Sequence, residues 1–379
     1  MDNEELNVFE ENDSAVKDCT PSVSLEVTVE DVRRALALSY PLEAEYQFTM
    51  VFNSNPVNIF SFLSQKLLNS MKRRNVKGKK LLTINHPKLP LKYSLRADMA
   101  DLVTLDGRSA QFLWFLIAKF AMMVKMQRDM KADIDINKYT IVAFRQSEIA
   151  QIFNVSPQRA RIIVQEGYIT LKSINWRFTE VLPGIDTCEW QFSPVASMVD
   201  TKRFGYVGVR LNQDFVRYLS HTYIKFFPIA ILRIQPKRFP NALAFAIKLV
   251  SNYNINDRKE TGQRNTVSVK TLLGVASYIP KEKDVIKGGS RLNQRIVKPF
   301  IRDMNHLKEL HIVADWCFKW PNSSILIEPD YKNISYDKFL QMNVFYAIPD
   351  RNVRLPKVGL PEISGNTSSG KLLAQHTEE

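Results

Sequence analysis

Two stretches of this chain place long hydrogen-bond donors at helical spacing. In SRLNQRIVKPFIRDMNHLKEL, residues 290–310, Arg291, Arg295, Lys298 and Arg302 recur every three or four residues, with Gln294 beside them. In SPQRARIIVQEGYITLKS, residues 156–173, Gln158, Arg161, Gln165 and Lys172 fall on one side of a helix, with Arg159 adjacent. Residues of these types recognise ligands through charge and hydrogen bonds. A guanidinium is a planar fork that fits O6 and N7 of guanine, a glutamine amide can pair with adenine, and flanking cations hold phosphates. A plain surface helix could carry the same charges merely solvated. Their recurrence at an equivalent point of two similar runs favours contact with duplex DNA by at least one of the two helices.

Apolar stripes lie behind these donors. Leu292, Ile296, Phe300, Met304 and Leu307, with Leu310 close behind, form the inner face of the later helix. Ala160, Ile163, Val164, Gly167 and Leu171 form that of the earlier one. Ser156-Pro157 is a strong helix start, because a serine cap accepts a backbone N–H and proline suits the first helical position. A short helix with Ile149, Ala150, Ile152 and Phe153 on its apolar side precedes it, so the order is short helix, tight turn, longer helix: a helix-turn-helix. A long helix over 109–130, with Asp106 as candidate cap, and the β-prone YTIVAF come before. INWRFTEV, CEWQFSPVASMV and FGYVGVRL follow as strands, which makes the unit a winged helix. The same order recurs downstream. A helix over 239–254 opened by Pro240 is followed by the polar loop NDRKETGQRN, a short helix over 268–275, the basic connection PKEKDVIKGG and the helix of 290–310. HIVADWCFKW and ILIEP then read as a hairpin, a second wing. Pro299 removes one backbone hydrogen bond from the later helix and should kink it.

At 379 residues, 45% hydrophobic and 24% charged, the chain has the composition of a globular protein long enough for two or three domains. Its net charge of +13 is uneven: residues 1–31 hold ten acidic side chains and one lysine, which leaves +22 on the remainder. A positive body of that kind attracts polyanions, nucleic acid above all. Acidic and poor in aromatics, residues 1–35 are expected to be a disordered arm, and the Pro, Gly, Ser and Thr of 352–379 a disordered tail. Between them an N-terminal winged-helix domain with a preamble spans 40–225, and a C-terminal one spans 226–350. The expectation is an α+β, helix-rich fold of two tandem winged-helix domains with disordered termini. In the preamble FSFLSQKLLNSM reads as an apolar helix, and KRRNVKGKK as a solvated loop with a phosphate-contacting arm as the alternative.

Other functional classes find little support. The longest apolar run, FLWFLIAKFAMMV over 112–124, is too short to span a bilayer and is interrupted by Lys119. With no apolar signal segment in the acidic N-terminus, a cytoplasmic protein without membrane contact is expected. Cys19, Cys188 and Cys317 lie too far apart for a disulfide framework or a zinc site. GNTSSGKL, residues 365–372, has Leu372 where a phosphate-cradling motif needs Ser or Thr, and no strand precedes it. His86, His221, His306, His311 and His376 form no His-x-His pair of the kind a nicking enzyme uses. His306 and His311 read as caps or packing, and Asp303 and Glu309 as partners of the basic face. A protein that is not an enzyme and takes no cofactor or metal is expected.

RLNQRIVKPFIRDMNHL resembles the second recognition helix of plasmid replication initiators that carry two winged helices and bind repeated origin sites, or iterons. A basic, kinked run of the type RVIKPAIKEIN is common there. INWRF…CEWQF…FGYVGVRLNQDFVRYL is similar to that family's first wing and the helix after it, and FPNALAFAIKLVSNYN to the helix opening its second domain. The resemblance spans about residues 105–330. The acidic arm and residues 40–105 have no counterpart in it, and HTYIKFFPIAILRIQPKRF is more β-like than the family's helical linker. What the resemblance implies is a protein that binds spaced repeats in double-stranded DNA, bends it and helps melt an adjacent AT-rich segment. It also implies recruitment of a host replicative helicase or initiator, and repression of its own promoter as a homodimer. A winged-helix transcription regulator, or a replisome organiser of a phage or mobile element, would present the same helices. An interaction scaffold would bind duplex DNA no better than any basic protein.

Overall fold

The computed structural model describes residues 7–9, 26–39, 42, 48–52, 57, 79–85, 92–98, 108–129, 140–182, 185–201, 205–222, 224–255, 265–276, 278–286, 291–321, 326–330 and 334–349. The expected helix near 60–71, most of the basic run 72–80, Asp106, residues 256–264 and the tail from 352, with its GNTSSGKL, lie outside the described residues. The chain is α+β, and every strand pair among the described residues is antiparallel.

Up to residue 228 the elements are β1 (Asn7–Phe9), α1 (Val29–Ala37), β2 (Phe48–Phe52), β3 (Lys79–Asn85), β4 (Lys92–Asp98), α2 (Arg108–Asp129), β5 (Ile141–Arg145), α3 (Gln146–Phe153), α4 (Pro157–Ser173), β6 (Asn175–Leu182), β7 (Ile185–Phe192), β8 (Val195–Thr201), β9 (Tyr206–Leu211), α5 (Gln213–Ser220) and β10 (Ile224–Pro228). α2 is the centre. A helix that is apolar on all sides must be buried, and every residue from Ala110 to Ala121 is, including Gln111 and Lys119. Gln111 is satisfied by donating to the carbonyls of Ile231 at 2.8 Å and Ile234 at 3.0 Å. The Lys119 ammonium meets Glu148 Oε1 at 3.0 Å, and the same oxygen accepts the Leu42 N–H at 2.7 Å. Burial pulls the Lys119 pKa down while Glu148 pulls it back up.

α3 and α4 form the expected helix-turn-helix. Asn154 ends α3 at φ 50°, the left-handed region that asparagine tolerates better than most residues, and the Val155 N–H returns to the Ala150 carbonyl at 3.0 Å. Ser156 then accepts the Arg159 N–H at 3.3 Å and Pro157 opens α4. α4 packs on α2 at Gly167, where a Cβ would lie 2.5 Å from Phe112 Cδ1, so the close approach needs glycine.

The strands expected to make one wing divide between two sheets. β8 and β9 join β5 in a sheet ordered β5-β9-β8, whereas β6 and β7 complete a sheet ordered β1-β3-β4-β6-β7. The β6–β7 hairpin is therefore an insertion between α4 and the wing strands. All four runs alternate or are β-prone; which sheet each joins depends on partners distant in sequence.

The expected disordered arm, residues 1–35, requires correction at its described residues, 7–9 and 26–35. β1 pairs with β3, and α1 packs on the β5-β9-β8 sheet. Thr28 and Asp31 close a capping box at its start, with the Asp31 N–H 3.2 Å from Thr28 Oγ1 and the Thr28 N–H 2.9 Å from Asp31 Oδ2. Val27, Val32 and Ala35 are buried against Ala143. Gly208 on β9 makes the docking possible: a Cβ there would lie 2.4 Å from Val32 Cγ2. The helix buries only this narrow stripe and leaves Glu30, Arg33 and Arg34 exposed, so its composition resembles that of an unfolded segment. The β-like character expected of the segment before residue 239 is present as β10, which pairs with β2; the expected boundary at 225/226 falls inside that pair.

Beyond β10 a 3₁₀ turn (Ile229–Arg233) leads to α6 (Ala242–Ile255), β11 (Thr266–Ser268), α7 (Val269–Val275), α8 (Glu282–Ile286), a π-helical turn (Asn293–Val297), α9 (Lys298–Glu309), β12 (Asp315–Lys319), β13 (Leu326–Ile327), α10 (Tyr336–Gln341) and β14 (Asn343–Ala347). The expected hairpin is β12–β13, with Phe318 opposite Ile327. The sheet is ordered β11-β14-β12-β13. With the β6–β7 hairpin set aside in the first part, and α8, β13 and α10 in the second, both follow one plan: a long helix, a strand, a short helix, a helix carrying basic residues, then two strands of which the last pairs between the other two. β5-β9-β8 and β11-β14-β12 are the same arrangement. Pro299 is admitted by the π turn, in which the Lys298 N–H reaches back five residues to Asn293. Proline offers no N–H and crowds the carbonyl four residues back, and a widened turn just before it relieves that crowding. Ile296, Phe300, Met304 and Leu307 are buried as expected, Val297 and Ile301 join them, and Leu292 and Leu310 pack at the edge. Among the described residues no helix is long and apolar enough to cross a membrane.

Candidate nucleic-acid interface

With its apolar stripe committed to α2, α4 turns Gln158, Arg161, Gln165 and Lys172 to solvent, while Arg159 is partly buried. Ile169, 53% exposed, stands on the same side; its apolar type hid it in the sequence among core residues. Arg161 does not swing freely. Its Nε donates to Gln146 Oε1 at 3.1 Å, and Gln146 Nε2 donates to the two Asp200 carboxylate oxygens at 3.1 and 3.2 Å. The start of α3, the first turns of α4 and the wing strand β8 therefore meet at one point. An open hollow of about 440 Å³ lies beside it, lined by Arg145, Gln146, Ser147, Gln151, Arg161 and Tyr206 among others. The Arg145 guanidinium sits 5.6 Å from the centre of the Tyr206 ring. Nothing in the sequence singles out Gln146 or Asp200, whose partnership joins residues 54 positions apart.

In the second part Arg291, Gln294, Arg295, Lys298 and Arg302 are all exposed. Arg291 precedes the helix, and its carbonyl accepts the Arg295 N–H at 2.9 Å. Arg302 is engaged more than a freely solvated cation would be. Its Nη2 lies 2.7 Å from Asp303 Oδ1 and its guanidinium 5.8 Å from the Phe239 ring. Asp303 is buried and accepts both the backbone and the side-chain N–H of Asn241 at 2.9 Å; Asn241 Oδ1 in turn accepts the Tyr278 N–H at 2.9 Å. Burial pushes the Asp303 pKa up, against the bonds from Asn241 and Arg302. Asp303 is thus a partner of the basic face, as expected, and also ties α9 to the residue before α6. His306 packs, stacked on Phe239 with ring centres 3.5 Å apart, and its Nδ1 lies 3.0 Å from Glu309. His311 takes φ 54° at the end of the helix, where the Ile312 N–H returns to Leu307 at 2.9 Å.

Other chemistry has few materials. Among the described residues no three His, Cys, Asp or Glu side chains come together as metal ligands. Cys317 is buried, and that burial, with Asp315 and Glu328 nearby, pushes its thiol up to about 11.

No protein-family profile matches the chain, and no curated protein matches it. Among solved structures it is similar to the Pi initiator protein, crystallised in complex with iteron DNA, at 10% identity and a TM-score of 0.41, over 81% of this chain and 99% of that one. It is similar to domains 2 and 3 of RctB at 10% identity and a TM-score of 0.36, over 72% of this chain and 92% of that one. Both likenesses are too distant to carry function to this chain, which must be read from its own two helices.

Proposed function

We propose that this protein is a sequence-specific double-stranded-DNA-binding replication initiator built from two tandem winged-helix domains, the first closing with β10 and the second opening near α6. The observation that supports the reading is repetition. At the same point of one topological plan, used twice, a helix with an apolar inner face turns arginine, lysine and glutamine outward. Helices of that kind enter major grooves, with the arginines and glutamines at base edges and the remaining cations on phosphates. Two such helices on one chain would read successive parts of one origin repeat. Opening of the adjacent duplex, recruitment of a replicative helicase or initiator, homodimer formation with repression of the protein's own promoter, and action in the cytoplasm complete the proposal, which contains no catalytic step.

Footprinting on the DNA flanking the protein's own gene tests it. Tandem protected repeats beside an AT-rich segment are expected. A lone protected palindrome over a promoter would instead identify a transcription regulator. Affinity no greater than that of a generic basic protein would end the DNA-reading proposal altogether.

A further inference from the structure

We infer that Gln146 and Asp200 are positioning residues that aim Arg161, tying base reading by α4 to the wing strand β8. The inference rests on the DNA reading proposed above. The chain of contacts has only one consistent orientation. Arginine Nε is a donor and never an acceptor, so the oxygen of the Gln146 amide must face it; an ionised carboxylate only accepts, so the amide nitrogen must face Asp200. The distances of 3.1 Å on the arginine side and 3.1 and 3.2 Å on the aspartate side match that assignment. Flipping the amide would set donor against donor at one end and acceptor against acceptor at the other.

With Nε engaged by glutamine, the end of the guanidinium fork is the part left for O6 and N7 of a guanine. A long side chain held in one direction beforehand has less freedom to lose when it binds. The relay also gives Asp200 a task. A carboxylate on a face meant for a polyanion opposes binding by simple repulsion, so attraction cannot account for its place there. Because it stands on β8 and Gln146 opens α3, a shift of the wing against the helix pair would be felt at Arg161.

The full-length protein is first used to select its preferred duplex from a randomised pool. On that duplex and its single-base variants, Arg161→Ala is expected to relax the preference at one base pair by about 5-fold or more. Gln146→Ala and Asp200→Ala should relax preference at that same base pair by a smaller factor, and the Arg161→Ala/Gln146→Ala double variant should lose no more than Arg161→Ala alone. Asp200→Asn keeps one acceptor oxygen and should recover part of what Asp200→Ala loses. Asp200 lies off α3, so its variants report independently of any effect of Gln146 on that helix, and thermal melting controls for folding. Suppose the Gln146 and Asp200 variants weaken all duplexes alike, act at a different base pair, or add fully to Arg161→Ala; then the positioning inference is overturned while DNA reading stands. The same holds if Arg161→Ala changes no preference. Enrichment of no sequence by the unaltered protein would overturn both.

Discussion

In the first part of the molecule the outward-facing helix is regular. α4 is capped by Ser156, opened by Pro157 and drawn against Phe112 at Gly167. Its counterpart, the π turn with α9, holds Pro299 near its middle and takes up one wide turn to admit it. The bracing differs as well. Behind the first helix pair a buried lysine is matched by a glutamate, whereas in the second part a buried aspartate is held by an asparagine and an arginine. α1 covers the outer face of the first sheet, while the second sheet carries β13 on its edge. What the plan requires in both places is a helix that cannot roll, with long donors on its outer side. A glycine contact, a buried ion pair and a hydrogen-bonded carboxylate are different ways to stop the roll.

Removing one member of each brace should separate the two parts. Glu148→Ala removes the carboxylate that faces the buried Lys119 ammonium and should cost about 3–5 kcal/mol, read by denaturant unfolding of the whole chain. Asp303→Ala leaves the donors of Asn241 unsatisfied but no charge stranded, and should cost about 1–3 kcal/mol. Equal losses would break the distinction between an ionic and a hydrogen-bonded brace. pH sharpens it. Burial holds the folded Lys119 pKa below its unfolded value, so between the two the unfolded chain binds more protons and stability rises with pH. In Glu148→Ala that carboxylate no longer opposes burial, the folded pKa falls further below the unfolded one, and the deficit relative to the unaltered protein should shrink as pH rises toward the ordinary lysine range. A deficit that does not change with pH would mean that Lys119 finds another partner or reaches water.

Gly208→Val tests the layer that α1 adds to the first part. Its side chain would occupy the place of Val32, and overpacking of that kind costs about 1–3 kcal/mol. Limited proteolysis should then cut within residues 26–39 under conditions where the unaltered protein resists. Unchanged resistance would mean that the sheet and α1 can both yield.

Binding comes next in size. Arg161→Ala and Gln158→Ala should affect one part of a selected site, and Arg295→Ala and Arg291→Ala another. A base contact should cost about 1–3 kcal/mol at one base pair, and a phosphate contact should weaken all sequences alike while flattening the salt slope by about one unit. If all four variants act on the same base pairs, the two helices do not divide the site. The smallest expected effect is on folding: these exposed substitutions should change stability by no more than about 0.5 kcal/mol. Unfolding of Arg295→Ala would show that the basic stripe on residues 291–302 is structural.

By itself the sequence determined what is local. Ser156-Pro157 marks the start of α4, the apolar stripes mark the inner faces of α4 and α9, and the outward donors follow, because helix hydrogen bonds and side-chain spacing are set within four residues. The capping box at Thr28 is equally local, but it lies in a stretch, residues 1–31, whose ten acids give it the composition of an unfolded segment. Pro299 announced a disturbance without specifying the π turn, which depends on how Ile296, Val297 and Phe300 all reach the core. The rest belonged to tertiary structure. β6–β7 and β8–β9 look alike along the chain, and only β4 and β5 decide which sheet each joins. Lys119 reads as an interruption of an apolar run until Glu148 comes beside it, and nothing local marks Gln146 or Asp200 until the wing meets α3. A strand's partner and a buried charge's counter-ion are chosen by the free energy of the packed whole, and no window of the sequence contains both members of the pair.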